Sequence, residues 1–163
     1  MKNTLLRTIG TAAFAILMLT TFVQISVSAQ EHYKGARALE GVWDLTVTRR
    51  NCDNGDAIGT FPSMQTFMQG GTMTDWGAGT APSLRSSGQG FWHHLDGLHF
   101  ESAFQFFRFN ANGTLAGKQI NRVQIELSED GEIYTTNASV TVLDVAGNAI
   151  AHNCATAVAT RFE

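Results

Sequence analysis

The sequence predicts an all-β domain, an eight-stranded antiparallel up-and-down barrel with one disulfide joining its first and last strands. Three observations carry that prediction. From residue 41 onward, short runs rich in Val, Thr, Phe and Ile are cut by Gly, Asn and Asp, and no stretch holds a helical period for three turns. Turn signals recur at short intervals: "DNGD" (53–56), "QGG" (69–71), "LDGL" (95–98), "NANG" (110–113), "SEDG" (128–131) and "AGN" (146–148). Finally, "GVWDLTVTRRNC" (41–52) and "CATAVATRF" (154–162) read as mirror images. Paired antiparallel, they set Trp43 against Arg161 and Cys52 within one diagonal step of Cys154, with matching parity in both pairs. First pairing with last closes the sheet and removes both edges.

Taken in order, strands are expected at about 42–51, 62–69, 72–76, 88–94, 98–109, 115–128, 132–144 and 149–162. The first opens on the Trp43 segment. For the second and third, Met64, Met68 and Met73 fall on one face and Phe67 on the other, which leaves the core side of that hairpin open. A long Gly/Ser/Pro loop, "GAGTAPSLRSSGQG" (77–90), precedes the fourth strand. The fourth and fifth meet at Asp96-Gly97, a favoured pair for a two-residue type I′ turn. That register pairs Leu95 with Leu98 and points Phe91, His93, Leu95, Leu98, Phe100 and Phe104 inward. In the sixth, Gln119, Asn121, Val123, Ile125 and Leu127 share a face opposite Lys118, Arg122, Gln124 and Glu126, the alternation of a half-buried strand. In the seventh, Tyr134, Ala138, Val140 and Val142 share the apolar face. The eighth carries a stripe of small residues, Ala149, Ala151, Ala155, Ala157 and Ala159, on the face of Arg161.

Composition narrows the function classes. Residues 1–29 read as a signal peptide: Lys2 and Arg7 precede an apolar stretch, and "VSA" (27–29) supplies the small residues of a cleavage site. Residues 30–40 are then an N-terminal extension and 41–163 one barrel domain, secreted or periplasmic, with no membrane span after cleavage. Without the leader the chain has 9 Lys and Arg against 14 Asp and Glu. That deficit, with no basic cluster, excludes a nucleic-acid partner. Two cysteines in an oxidising compartment read as a disulfide, Cys52–Cys154.

With Trp43 and Arg161 in register, "GVW" (41–43) resembles the opening of the lipocalin or calycin pattern. That resemblance implies a barrel whose tryptophan closes one end beneath a basic side chain, with Gly41, Trp43 and Arg161 in that structural role. The chain departs from the pattern in lacking a Thr-Asp-Tyr motif in its later strands and a C-terminal helix.

The leading functional expectation is an exported carrier that holds a small apolar molecule in the barrel, with no cofactor. Phe91, His93, Phe100, Phe104, Val123, Ile125, Tyr134 and Ala155 are expected to line the cavity. The rival is a barrel enzyme of cyclase or isomerase type, with His93 as acid–base group and Glu101 or Arg85 assisting. A third reading is a structural envelope protein with a packed lumen. His94, His99 and Glu101 share the outer face of the hairpin and form a candidate metal set. There is no Gly-x-Ser-x-Gly elbow, phosphate-binding Gly loop, HExxH or CxxC.

Overall fold

In the computed structural model, the described residues are Gly35 and residues 37–162. The signal-peptide reading of residues 1–29 lies outside them. Eight strands follow in order: β1 (Gly41–Arg50), β2 (Ala57–Phe67), β3 (Thr72–Gly77), β4 (Gly88–Asp96), β5 (His99–Phe109), β6 (Leu115–Leu127), β7 (Ile133–Leu143) and β8 (Ala149–Arg161). Each pairs antiparallel with the next, and β8 returns to β1, so the ring is closed and presents no free edge. This is the expected up-and-down barrel, and its architecture is consistent with a lipocalin-like fold.

The seam follows the mirror-image reading. Trp43 is the partner of Arg161, and the register continues without slip to Arg50 opposite Cys154. Cys52, two residues beyond β1, then reaches back diagonally to Cys154, with Cα atoms 5.3 Å apart. The bond joins positions 102 residues apart. Chain-entropy arguments put the stabilisation from so long a loop at up to about 4.7 kcal/mol.

One strand is longer than expected, and its proline explains why. β2 begins at Ala57 and runs through Pro62. Along this first half it pairs only with β1, because pairing with β3 starts at Ser63. A proline is tolerated where one side of a strand needs no donor. Instead, the Pro62 carbonyl accepts the Ala78 amide at 2.9 Å, which ties down the start of the long loop. In the β2–β3 hairpin Met73 is the partner of Phe67, and both are buried, whereas Met64 is exposed. The core side is therefore Ser63, Gln65, Phe67, Met73 and Asp75, and Met73 does not share a face with Met64.

The β4–β5 hairpin differs from the sequence expectation by one residue. The turn is Gly97-Leu98 rather than Asp96-Gly97, with Gly97 at φ +48°, and Leu95 is bulged out between His94 and Asp96. Because side chains alternate, that single step turns β4 over. Trp92 faces the core, while Phe91 and His93 face out. Packing selects this register. Trp92 meets Phe67 edge-on at 5.9 Å and Phe100 at 6.0 Å, and its indole N–H donates to the Met68 carbonyl at 3.0 Å. Gly90 suits the inner position beside β5, where a Cβ would collide with the Ala103 carbonyl and the Phe104 backbone.

One end of the barrel is filled. Trp43 and Tyr134 pack edge to face at 4.7 Å, with Phe67, Met73, Phe100 and Leu39 around them, all essentially without solvent exposure. Arg161 lies across the outer side of the Trp43 ring, 4.3 Å from its centroid. Its guanidinium donates to the carbonyls of Glu40, Ala38 and Gly131 at 2.8–3.1 Å. The Trp43 indole N–H donates to the Leu39 carbonyl at 3.0 Å. Trp43 and Arg161 thus pack together at the closed end. Gly41 belongs to the same cluster, since a Cβ there would press on the Arg161 guanidinium at 2.9 Å.

Candidate functional site

Above the plug the lumen opens into a cavity of about 490 Å³. Inward residues of every strand except β4 border it, together with Gly79, Thr80 and Arg85 of the loop after β3. Its size follows from pairings near the middle of β8. Ala157 sits between Val47 and Thr136, and Ala155 between Arg49 and Ala138. Apart from Arg49, these alanines meet small or medium neighbours, and space remains. The volume lies in the range typical of pockets for small molecules.

The wall is not uniformly apolar. Leu45, Val47, Phe104, Phe106, Val123, Val140 and the alanines alternate with Ser63, Gln65, Asp75, Gln119, Asn121 and Thr136. Several polar groups form a chain from the plug to the mouth. The Tyr134 hydroxyl donates to Gln65 Oε1 at 2.8 Å, and Gln65 Nε2 and Ser63 Oγ each donate to Asp75 Oδ1 at 3.2 Å. The other carboxylate oxygen of Asp75 accepts from Arg85 Nη2 at 2.8 Å. Burial, assisted by the negative charge of Asp75, pushes the Tyr134 hydroxyl well above its ordinary pKa, so it remains a donor.

Asp75 and Arg85 form a buried ion pair, with side chains 6% and 8% exposed. Arg85 comes from the loop after β3, just past the 3-10 turn Pro82–Leu84, and lays its guanidinium over the Phe106 ring at 3.8 Å from the centroid. Phe61 packs against this loop as well. A Cβ on Gly79 would sit 2.8 Å from the Phe61 ring, so glycine is what lets the backbone come this close. The loop is therefore fastened at the mouth by an ion pair, a cation–π contact and an aromatic–backbone contact.

Two buried polar atoms have no hydrogen-bond partner among the described residues, Asn121 Nδ2 and Ser102 Oγ. Asn121 lines the cavity, and its own Oδ1 is occupied by Gln119 Nε2 at 3.1 Å. An unpaired buried donor costs about 1–3 kcal/mol, so Asn121 Nδ2 is a polar group of the wall without compensation among the described residues.

The structure divides the residues expected to bind a ligand into three groups. Phe104, Val123 and Ala155 border the cavity. Phe100, Ile125 and Tyr134 point inward but belong to the packed core below it. Phe91 and His93 correct the sequence reading: the β4 bulge puts both outside, Phe91 at 57% exposure and the His93 side chain at 50%. There His93 Nε2 lies 3.5 Å from Glu101 Oε2, beside a shallow hollow of about 650 Å³ on the outer wall.

The same bulge separates the residues of the candidate metal set. His94 turns to the inner side and packs on Phe100 at 4.9 Å, with Nε2 2.9 Å from the Gly97 carbonyl. His99 pairs with Asp96 through Nδ1 at 2.9 Å, and Glu101 faces His93. Among the described residues, no group of three or more His, Cys, Asp or Glu side chains is placed to hold a metal ion. Sequence reasoning left Asp75 and Gln65 out of the site. Both lie in the hairpin whose core side periodicity left open, although an acid and an amide alternating with Phe67 and Met73 were a signal in principle.

No protein-family model matches the chain, and no curated protein sequence matches it.

Proposed function

We propose that this protein is an exported binding protein of lipocalin-like, calycin type that holds a small molecule in its barrel lumen. The observation that carries the reading is the cavity of about 490 Å³ above a closed aromatic plug, walled by small residues on β8 and roofed by a fastened loop. A barrel meant only as a rigid envelope component has no use for small-on-small pairing at its centre, where larger side chains would add stability. A disulfide at the seam suits an oxidising compartment, in keeping with the leader-like first 29 residues.

The alternative of a barrel enzyme with His93 as acid–base group draws less support, because the imidazole lies half-exposed on the outer wall rather than in the lumen. The cavity sets the Ser63 hydroxyl against the Asp75 carboxylate at 3.2 Å. Asp75, its one carboxylate, is engaged by Arg85, Gln65 and Ser63.

Native mass spectrometry of the oxidised protein isolated from its own compartment tests the proposal. A discrete extra mass that is lost on denaturation is the expected result. A spectrum showing only the bare chain, with no binding in a broad ligand screen, would move the protein to the structural class.

A further inference from the structure

Four arginines, Arg49, Arg50, Arg85 and Arg108, and a single carboxylate, Asp75, line the cavity, in a chain whose formal net charge is −3. Arg85 is neutralised by Asp75 at 2.8 Å. Arg50 donates to the Thr156 hydroxyl and the Gly55 carbonyl. Arg49 and Arg108 remain. They come from β1 and β5, on opposite sides of an eight-stranded ring, each one inward position above an apolar wall residue, Val47 and Phe106 respectively. Arg49 lies beside its cross-strand partner Gly59, where a Cβ would make only ordinary contact with Nη2. Among the described residues neither has an acidic partner.

We infer that the lumen takes a compact amphiphilic anion, with its oxyanion head at the mouth between Arg49 and Arg108 and an oxygen acceptor on its body reaching Asn121 Nδ2. This inference rests on the binding-protein reading and narrows it. The head belongs between Arg49 and Arg108 because Arg85 is already matched, and an anion beside it would face the Asp75 carboxylate across a poorly solvated wall. The body is oxygenated because the mid-lumen offers a buried amide donor with nothing to donate to. An unbranched saturated chain would leave that donor unpaired and lay methylene groups against Gln65, Gln119 and Thr136. The apolar ligand expected from sequence is thereby narrowed to one that is polar at its head and again part-way along.

Isothermal titration of the oxidised protein with 4-hydroxycinnamate, its methyl ester and decanoate tests this. The acid is expected to bind about tenfold or more tighter than its ester, the gain from two charge-assisted guanidinium contacts. Raising the salt from about 20 mM to about 0.5 M should erode the difference, because the head group sits at a solvated rim. In the double variant Arg49→Gln/Arg108→Gln the preference for acid should fall below about threefold while ester affinity holds. Asn121→Leu should weaken acid and ester alike by about fivefold. Equal affinity for acid and ester, or a preference that survives the double arginine variant, overturns the placement of the head. Decanoate binding as tightly as 4-hydroxycinnamate overturns the oxygenated body. Binding of ester without preference for acid removes only this inference, whereas silence from all three ligands together with an unloaded native mass spectrum removes the binding-protein reading as well.

Discussion

The two ends of this barrel are built from the same strands and behave as different materials. β1 contributes Trp43 and Leu45 to the closed end and Val47 and Arg49 to the mouth, and β5 contributes Phe100 to one and Phe106 and Arg108 to the other. The contrast is sharpest on β8, whose inner face is mostly alanine throughout. At the closed end Ala159 lies between Leu45 and Tyr134, and all three are buried. Two residues along, Ala157 lies between Val47 and Thr136, and the next inner alanine between Arg49 and Ala138. The same residue type completes a core in one place and opens a cavity in the other. A run of small residues therefore has no meaning apart from its cross-strand partners.

Substitutions can break that contrast or sharpen it. The largest effect should come from the closed end. Trp43→Ala removes the centre of the plug, the ring beneath Arg161 and the indole hydrogen bond to Leu39, and should cost about 3–5 kcal/mol, read from urea unfolding. At the mouth, Asp75→Leu strands Arg85 in a wall where both partners are nearly buried, at about 3–5 kcal/mol. The paired change Asp75→Leu/Arg85→Met should recover most of that loss, and a double-mutant cycle on unfolding free energies reports the coupling. Replacing both Cys52 and Cys154 by serine should cost about 2–4 kcal/mol and leave ligand affinity within a few-fold, since Trp43 and Arg161 still hold the seam at its other end. Ala157→Phe is aimed at the cavity itself. It should abolish ligand binding in a titration while changing stability by less than about 1–3 kcal/mol, because there is space to receive the ring. The smallest effect should be His93→Ala, within about 0.5 kcal/mol and without change in affinity, as befits a half-exposed side chain on the outer wall.

Much of the architecture was legible in the sequence, because it depends on periodicity and on pairings that constrain one another. The seam was readable since Trp43, Arg161, Cys52 and Cys154 supplied two separate checks on one register. β6, β7 and β8 were readable since each alternates cleanly along its length. The site was less legible, and the reason is local. In β4 the sequence offers aromatic or histidine residues at four successive positions, Phe91 to His94, so alternation carries little contrast and a single bulged residue at Leu95 decides which pair is buried. The Asp96-Gly97 turn signal was genuine but displaced by one, and that step moved Phe91 and His93 out of the lumen and Trp92 into it. Asp75 and Gln65 were missed because a polar residue on a core face is recognised only once its partners are known. Those partners, Arg85 and Tyr134, are 10 and 69 residues away.

The seam also governs when the molecule can exist at all. The strand that contains Trp43 finds one of its two neighbours only in the strand that ends at Arg161, so no partial chain can close the ring. Every shorter nascent chain exposes an open sheet with the edge of β1 unpaired and the tryptophan without its cover. A polypeptide of this design stays threadable until its final strand has been delivered, then commits at once, with ring closure, the arginine cover and the Cys52–Cys154 bond all contributed by the last dozen residues of the barrel. For a protein that crosses a membrane as an extended chain, such late closure is an asset. On the export proposed above, it would postpone ring closure until the last strand has been delivered.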